Sequence, residues 1–219
     1  MTTGGLISTV INYTDNVSAT DADNGDRRAR ILQLTQETFE DVWNYREWPW
    51  RFRGPTTLAI TAGSADLPAD FADFGQNGGV FDVASGRKFS ELPIQMFQER
   101  ILTGANNNVD DEFAVFNQAT TDGDKKIYVP TAVTSIKIFY LATASTLVDA
   151  TDATNNLFLI PARWHQTVIL PGVVARVRTN KGDGRDWMTR YLTGLGSMVA
   201  GERSKKTTVQ RVPYYARMW

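Results

Sequence analysis

The hydrophobic period of this chain changes twice, and that change restricts the possible folds more than any other feature. Near the N-terminus apolar side chains recur at three- and four-residue steps, which predicts helices over residues 6–17 and 24–48. The positions expected on their buried faces are Leu6, Val10 and Tyr13, followed by Ile31, Leu34, Thr38, Val42 and Tyr45. Pro49 is expected to end the second helix, because proline disfavours helical geometry in the residue before it.

The middle of the chain has the pattern of short β-strands. Runs rich in β-branched and aromatic residues are separated by clusters of Gly, Pro, Asn and Asp, and the runs are residues 56–61, 79–83, 113–116, 126–129 and 135–140. This pattern predicts an antiparallel β domain with a small helix in residues 90–102. It also predicts a hairpin over residues 126–140 that turns near Pro130 and Thr131.

Helical spacing returns after Pro161, with a bend expected at Pro171. The spaced positions are Trp164, Val168, Pro171 and Ala175, then Trp187, Tyr191, Leu195 and Met198, with Gly201 as the expected stop. We therefore predict an α+β fold, in which the N- and C-terminal helices form one bundle and the antiparallel β domain is inserted between them. The expected divisions are helices in residues 1–50, the β domain in 51–147, helices in 148–201 and an extended tail in 202–219.

Composition excludes several classes of protein. The chain has no cysteine, which removes disulfide frameworks, thiol catalysis and thiolate zinc sites together. Its 23 basic and 24 acidic residues give a net charge of −1, whereas a dedicated DNA-binding protein usually has a basic excess. The longest apolar stretch, residues 168–177, is interrupted by Pro171 and Gly172 and is too short to cross a membrane.

Residues that could carry chemistry are few. His165 is the only histidine, so no metal site with two histidines can form. Its place between Trp164 and Gln166 on a helix predicts a packed, hydrogen-bonded side chain rather than a catalytic base.

The acidic residues form no recognisable catalytic or metal-binding motif. Acid pairs occur, such as Asp66 with Asp70 and Asp110 with Asp111, but no supporting motif accompanies them. A loop carries Asp149, Asp152, Asn155 and Asn156 with spacing unlike a calcium loop, which leaves only a weak ion site as an alternative. We therefore expect no catalytic residue, no cofactor and no metal site.

An aromatic-rich segment lies where the helical pattern gives way to the β pattern. We expect Trp43, Trp48, Trp50 and Phe52 to pack as a hinge between the bundle and the β domain. Aromatic residues interleaved with arginine also bind single-stranded nucleic acid, which is the alternative for residues 43–53. The proline at 49 and the β pattern that follows favour the hinge.

The C-terminal residues combine aromatic and basic side chains, as binding hot spots do. We predict that this tail inserts into an acidic groove of a neighbouring protein; docking back onto its own domain is the alternative. The residues expected to bind are Arg203, Lys205, Lys206, Arg211, Tyr214, Tyr215, Arg217, Met218 and Trp219.

Taken in order, these segments resemble the head-to-tail adaptor (connector) proteins of tailed bacteriophages. After the tryptophan-rich residues 43–50 comes Asp66-Leu-Pro-Ala-Asp-Phe71, similar to the L-P-x-D-F step common in that group. The hydrophobic strand at 136–140 then closes the β domain. Leu159-Ile-Pro-Ala-Arg-Trp-His165 is similar to the L-P-x-x-x-H/Y step before the penultimate helix of the group, and the resemblance covers most of the chain.

The resemblance implies a structural virion protein and not an enzyme. Such proteins form a homo-oligomeric ring, commonly dodecameric, that docks on the phage portal protein and contacts other neck or tail proteins. The resemblance implies that the C-terminal tail reaches up along the portal and binds it. DNA passes through the ring as cargo, and a near-neutral chain suits that role because each phosphate contact would slow passage. The implied location is the neck of the virion after assembly in the host cytoplasm. The alternatives are a stopper or tail-tube-like component, a carbohydrate-binding β-sandwich module, or an enzyme with an acid pair.

Overall fold

The computed structural model of the chain describes residues 1–15, 24–102, 111–117, 125–129, 132–149, 160–179 and 183–209. The chain divides into two compact units. The helical unit comprises Met1–Trp50 and Ala144–Trp219, and the β unit comprises Arg51–Thr143. Both helices and antiparallel-rich sheets are present, which confirms the α+β class.

The helices of the described residues are α1 (Thr3–Asp15), α2 (Asn24–Asn44), α3 (Ile94–Leu102), α4 (Leu170–Val177) and α5 (Gly184–Val209). The strands are β1 (Phe52–Ala59), β2 (Ser64–Asp66), β3 (Phe71–Asp73), β4 (Gly79–Asp82), β5 (Ser90–Glu91), β6 (Glu112–Asn117), β7 (Lys125–Tyr128) and β8 (Ser135–Ala142). Among these residues no helix is long and apolar enough to cross a membrane.

The core of the helical unit follows the periodic positions of the sequence. Helix α4 contacts α1, α2 and α5, and its residues Leu170 to Ala175 are buried. The expected faces of α1, α2 and α5 are buried at Leu6, Val10, Ile31, Leu34, Thr38, Val42, Tyr191, Leu195 and Met198. Tyr13 and Tyr45 are wrong as core positions, since they are 52% and 58% exposed, and Trp187 is only half-buried. A tyrosine at the edge of an apolar stripe can leave its polar end in water.

The segment directly before α4 has an unusual helical geometry and packs closely against α5. A 3₁₀ turn, Ala162–Trp164, leads into a wide π-helical turn, His165–Ile169, directly before α4. Pro171 has no N–H to donate to the carbonyl of Thr167 four residues earlier. That carbonyl faces Gly194 of α5, where a Cβ would lie only 2.0 Å from the Thr167 oxygen. The absence of a side chain at Gly194 therefore lets α5 approach the turn.

The last helix is longer than its sequence predicts. Gly201 does not end it, because α5 continues to Val209. A Cβ on Gly201 would lie 3.4 Å from the ring of Trp164, so this glycine is a packing position within the helix. Residues 202–209 of the expected extended tail are therefore helical.

The described residues of the β unit form two sheets of four strands each. In the first, β8 pairs with β1 along one edge and with β3 and β4 along the other. The second has the order β2-β7-β6-β5, in which the pairing of β5 with β6 is parallel. The predicted hairpin over residues 126–140 is wrong. Strand β7 has both edges occupied by β2 and β6, and both edges of β8 are occupied too, so these consecutive strands belong to different sheets.

An aromatic cluster lies between the two sheets. The Phe71 ring of β3 contacts Tyr140 of β8 at 5.6 Å and Phe74 at 4.9 Å between ring centroids. Phe74 in turn meets Phe113 of β6 edge to face at 5.2 Å. All four side chains are buried, and rings in this geometry attract one another beyond their simple burial. The cluster therefore joins the first sheet to the second.

Candidate assembly surfaces

The L-P-x-D-F step of the sequence fixes the beginning of β3. The N–H of Phe71 donates to the Pro68 carbonyl at 2.8 Å, which makes a turn. The Asp70 carboxylate accepts a 2.8 Å hydrogen bond from the hydroxyl of Tyr140, and its carbonyl accepts one from the N–H of Thr143 at 2.7 Å. Burial, followed by the hydrogen bond to Asp70, raises the pKa of Tyr140 to about 12. The motif thus holds β3 against β8 and is structural.

In the L-P-x-x-x-H step, the histidine side chain forms a hydrogen bond back to the start of the step. His165 is 1% exposed, and its Nε2 lies 2.8 Å from the Ile160 carbonyl oxygen. Since a carbonyl oxygen only accepts, Nε2 carries the proton of this hydrogen bond. Burial lowers the pKa of His165, against the smaller opposing effect of that hydrogen bond. The side chain is therefore packed and hydrogen bonded, as expected, and it fixes the turn before α4. Its lowered pKa favours the neutral form at pH 7.

A buried carboxylate of α5 is hydrogen bonded to the 3₁₀ turn that precedes α4. Glu202 is 3% exposed and accepts hydrogen bonds from the guanidinium of Arg163 and, at 3.4 Å, from the indole N–H of Trp164. The Arg163 guanidinium also lies 5.1 Å from the centre of the Trp164 ring. Local sequence pattern does not predict this contact, because it places Glu202 at the start of an extended tail, residues 202–219.

The tryptophan-rich segment is largely a packing cluster. Trp43 and Trp48 are fully buried, and the Trp48 ring stacks on Trp50 at 4.7 Å. The indole N–H of Trp48 donates to the Val42 carbonyl at 2.6 Å. A nucleic-acid base cannot reach Trp48, which disfavours single-strand binding through that ring. Phe52 begins β1 and pairs with Leu141, and the hinge role of the four aromatic residues remains a prediction.

A groove runs along one flank of α5 within the helical unit. It has a volume of about 660 Å³, and we call it the α5 groove. Among the residues that line it are Tyr13, Trp164, Leu170, Pro171, Trp187 and Arg190. Tyr13 meets Trp187 edge to face at 5.7 Å, and the guanidinium of Arg190 lies 4.8 Å from the centre of the Trp187 ring. Aromatic and arginine side chains in a concave apolar site are typical of protein-binding hot spots.

The sequence did not reveal this groove. Tyr13 and Trp187 were expected on buried helix faces, because their spacing matches the core positions. The available signal is the residue before each core position of α5: Arg190, Gly194 and Ser197 precede Tyr191, Leu195 and Met198, and all three line the groove. This row combines the small residues Gly194 and Ser197 with the cationic Arg190. A helix face that contacts only water does not require small residues.

The predicted portal-binding residues fall into two groups. Arg203, Lys205 and Lys206 belong to α5, so their backbone is helical rather than extended. The others lie outside the described residues, and they are Arg211, Tyr214, Tyr215, Arg217, Met218 and Trp219. Their binding role remains a prediction.

Several acidic residues considered for chemistry have basic or hydroxyl partners. Asp66 pairs with Lys126 at 3.4 Å and Asp111 with Arg87 at 3.4 Å, while Asp70 bonds Tyr140. Asp149 forms a two-point pair with the guanidinium of Arg28, its oxygens 2.7 and 2.8 Å away. Within the described residues, no group of three or more His, Cys, Asp or Glu side chains could hold a metal ion. The positions 110, 152, 155 and 156 lie outside those residues.

Comparison with known proteins identifies the family. No curated protein sequence matches the chain. The sequence model of the SU10 adaptor protein family matches residues 1–213, which include the β unit and nearly all of the helical unit. The match confirms the resemblance to phage head-to-tail adaptors that rests on the order of segments along the chain, including the two proline-containing steps. The chain therefore belongs to the SU10 adaptor protein family.

Proposed function

We propose that this protein forms a homo-oligomeric ring that docks on the phage portal protein, links it to the tail and forms part of the DNA conduit. The observation that carries the proposal is the family match over residues 1–213, which is not confined to one motif or one unit. The net charge of −1 also supports a conduit, because a ring that bound DNA through many phosphate contacts would retard its passage.

Within this proposal the helical unit forms the wall of the ring, and the β unit faces outward or toward the next tail component. Surface composition supports the assignment of the wall. The α5 groove and the exposed apolar residues of α5 give the helical unit two different surface patches suited to protein–protein contacts. A closed ring needs such heterologous contacts, in which one patch meets a different patch on the neighbour.

The C-terminal residues are proposed to bind the portal. They carry Tyr214, Tyr215, Met218 and Trp219 together with Arg211 and Arg217, a composition suited to an acidic groove. Arg203, Lys205 and Lys206 belong to the same proposed binding set, and their backbone lies in α5, which extends to Val209.

The experiment that tests the function mixes the purified protein with the portal protein of the same phage. Ring formation on the portal is scored by native mass spectrometry and electron microscopy for the full chain and for a truncation ending at Val209. A truncation at Gly201 is unsuitable, because it would delete residues 202–209 of α5 and the buried Glu202. Two full-length double variants separate the charged from the aromatic contribution to portal binding. One carries Arg211→Gln and Arg217→Gln, and the other carries Tyr214→Ser and Trp219→Ser.

Each result has a defined meaning. Decoration of the portal by the full chain but not by the truncation supports both the adaptor role and the binding tail. Equal decoration by both forms keeps the adaptor role and rejects the tail. If the full chain does not bind the portal, the protein is not an adaptor at the portal, and a stopper or tail-tube-like component replaces the proposal.

A further inference from the structure

An asparagine is followed directly by a glycine at two places in the chain, Asn24-Gly25 and Asn77-Gly78. Asparagine is a chemically labile residue, because the main-chain nitrogen of the next residue can attack its side-chain amide carbon. A glycine in the next position has no Cβ to obstruct that attack. The two reacting groups belong to one chain, which gives them a high effective concentration. Local structure then decides which of the two pairs reacts.

The first pair belongs to a helix. Asn24 and Gly25 are the first two residues of α2. An α-helix confines the main-chain dihedral angles of its residues to a narrow range. Closing a ring between the Gly25 nitrogen and the Asn24 side chain requires rotation of the main chain out of that range, so the first turn of the helix must open before the reaction. We therefore expect Asn24 to react slowly.

The second pair lies at the end of the turn between β3 and β4. Residues 75–77 form this turn, and Asn77 is exposed. The beginning of the turn is held by Asp73, whose carboxylate accepts a 2.6 Å hydrogen bond from the N–H of Gly75. Within the described part of the chain, neither the Asn77 side chain nor the N–H of Gly78 is hydrogen bonded to protein. Both reacting groups are therefore available in the folded protein.

Gly78 is the fixed end of this pair. A Cβ on Gly78 would lie 1.9 Å from the carbonyl oxygen of Phe74 and 2.5 Å from that of Phe139. The next residue, Gly79, begins β4 and pairs with Phe139 of β8. The exposed turn residues before Gly78 must therefore supply the rotation that brings the Asn77 side chain to the Gly78 nitrogen.

We propose that Asn77 is a site of spontaneous deamidation, and that this modification alters the start of β4. The Gly78 nitrogen forms a bond to Cγ of Asn77, the bond from Cγ to the side-chain nitrogen breaks, and that nitrogen leaves as ammonia with the proton from Gly78. Water then opens the succinimide ring. Breaking the new bond to Cγ gives aspartate, whereas breaking the bond to the main-chain carbonyl carbon gives isoaspartate. Either product adds one negative charge.

The isoaspartate product weakens the pairing of β4 with β8. Its main chain runs through Cβ and Cγ, so it is one atom longer directly before Gly78. The space around Gly78 is already filled by the carbonyl groups of Phe74 and Phe139. The extra atom must therefore displace Gly78 or the turn. The Asn77→Asp variant has the same added charge without the extra atom, and as an exposed substitution it should unfold almost as the unmodified protein does.

Ageing of the purified full-length protein tests the proposal. The folded protein is kept at mildly alkaline pH for days, then digested at mildly acidic pH, which prevents further reaction. Peptide mass spectrometry measures the loss of each asparagine, and enzymatic methylation of isoaspartate identifies that product. Asn77 should be lost several-fold faster than Asn24 and should give both aspartate and isoaspartate. The Asn77→Gln variant keeps a neutral amide but must close a larger, less favourable ring, so it should form no isoaspartate at this position.

Thermal unfolding gives the second measurement. The aged fraction with isoaspartate at position 77 should unfold at least about 2 °C below the Asn77→Asp variant. Equal unfolding temperatures would overturn the proposed effect on β4.

Three further results would overturn the site itself. Loss of Asn77 no faster than loss of Asn24 would show that the turn does not favour the reaction. Reaction of Asn77 in urea but not in the folded protein would show that the native turn is closed to it. Deamidation without any isoaspartate would exclude the succinimide route. Because all of these measurements use the purified protein without the portal, they are independent of the proposed adaptor role.

Discussion

Gly194 of α5 lies directly against the carbonyl oxygen of Thr167, so closely that a Cβ on Gly194 would be 2.0 Å from that oxygen. The Gly194→Ala variant should therefore be destabilised by about 2 kcal/mol, because α5 must move away from the π-helical turn. Urea unfolding followed by far-UV circular dichroism measures the change.

Gly196, two residues further on the same helix, is the matched control. A Cβ there would meet nothing within 4 Å. Gly196→Ala should stabilise the protein by about 0.5–1 kcal/mol, since alanine has the higher helix propensity. Equal effects of the two substitutions would contradict the close approach of α5 to Thr167.

The stability of the protein should fall as the pH drops below the ordinary histidine pKa of 6.5. Burial lowers the pKa of folded His165, so in this range the unfolded chain binds more protons than the folded chain. Protonation therefore favours unfolding, and the loss continues until the pH passes the lowered folded value. Thermal unfolding between pH 7.5 and 5.5 measures it. His165→Gln keeps a donor for the Ile160 carbonyl and should remove the pH dependence in this window; if the dependence persists, His165 is not its source.

The hydrogen bond from Tyr140 to Asp70 should stabilise the folded protein near pH 7, and this contribution to stability should be lost at high pH. Tyr140→Phe should lower the free energy of unfolding by about 1 kcal/mol near pH 7, the usual net value of one hydrogen bond. Because the folded pKa of Tyr140 is raised to about 12, its contribution is complete below the unfolded pKa of 10.0 and decreases as the pH rises toward 12. The difference between the two proteins in urea should therefore shrink above pH 10, and a constant difference would contradict the raised pKa.

The pair between Arg163 and Glu202 should respond unequally to removal of its two partners. Arg163→Met removes one cationic hydrogen-bond donor from the carboxylate of Glu202, which is 3% exposed, and should cost about 2 kcal/mol. Glu202→Gln leaves Arg163, whose side chain is 47% exposed, free to bind water and should cost about 1 kcal/mol. Chemical unfolding of both variants gives the comparison, and the reverse order would show that the carboxylate reaches water.

Much of the helical core could be predicted because it depends on local periodicity. Ile31, Leu34, Thr38 and Val42 are buried as their spacing indicates. The end of α5 could not be predicted in this way. Gly201 has the propensity of a helix stop, but two features that depend on a distant segment favour continuing the helix. A Cβ on Gly201 would lie 3.4 Å from the Trp164 ring, and Glu202, one residue later, is buried.

Neither the strand pairing nor the α5 groove could be predicted from the local sequence pattern, and the reasons are related. Strands β7 and β8 have the spacing of a hairpin, yet β1 and β2, far earlier in the chain, occupy edges of β8 and β7. The groove depends on Tyr13 and Trp187, which match the core period but lie beside the core. Periodicity locates apolar positions on a helix, and it does not distinguish a core from a neighbouring concave surface.

The pairing of Phe52 with Leu141 and of Arg53 with Tyr140 has an evolutionary consequence. The first and last strands of the β unit are hydrogen bonded to each other, so the chain leaves and returns at one place. A segment closed at its own base is a cassette, which recombination can exchange or enlarge without lengthening the path between its flanking helices. A β unit built in this way can be replaced by a longer or shorter segment while the two connections to the flanking helices stay at the same pair of strands.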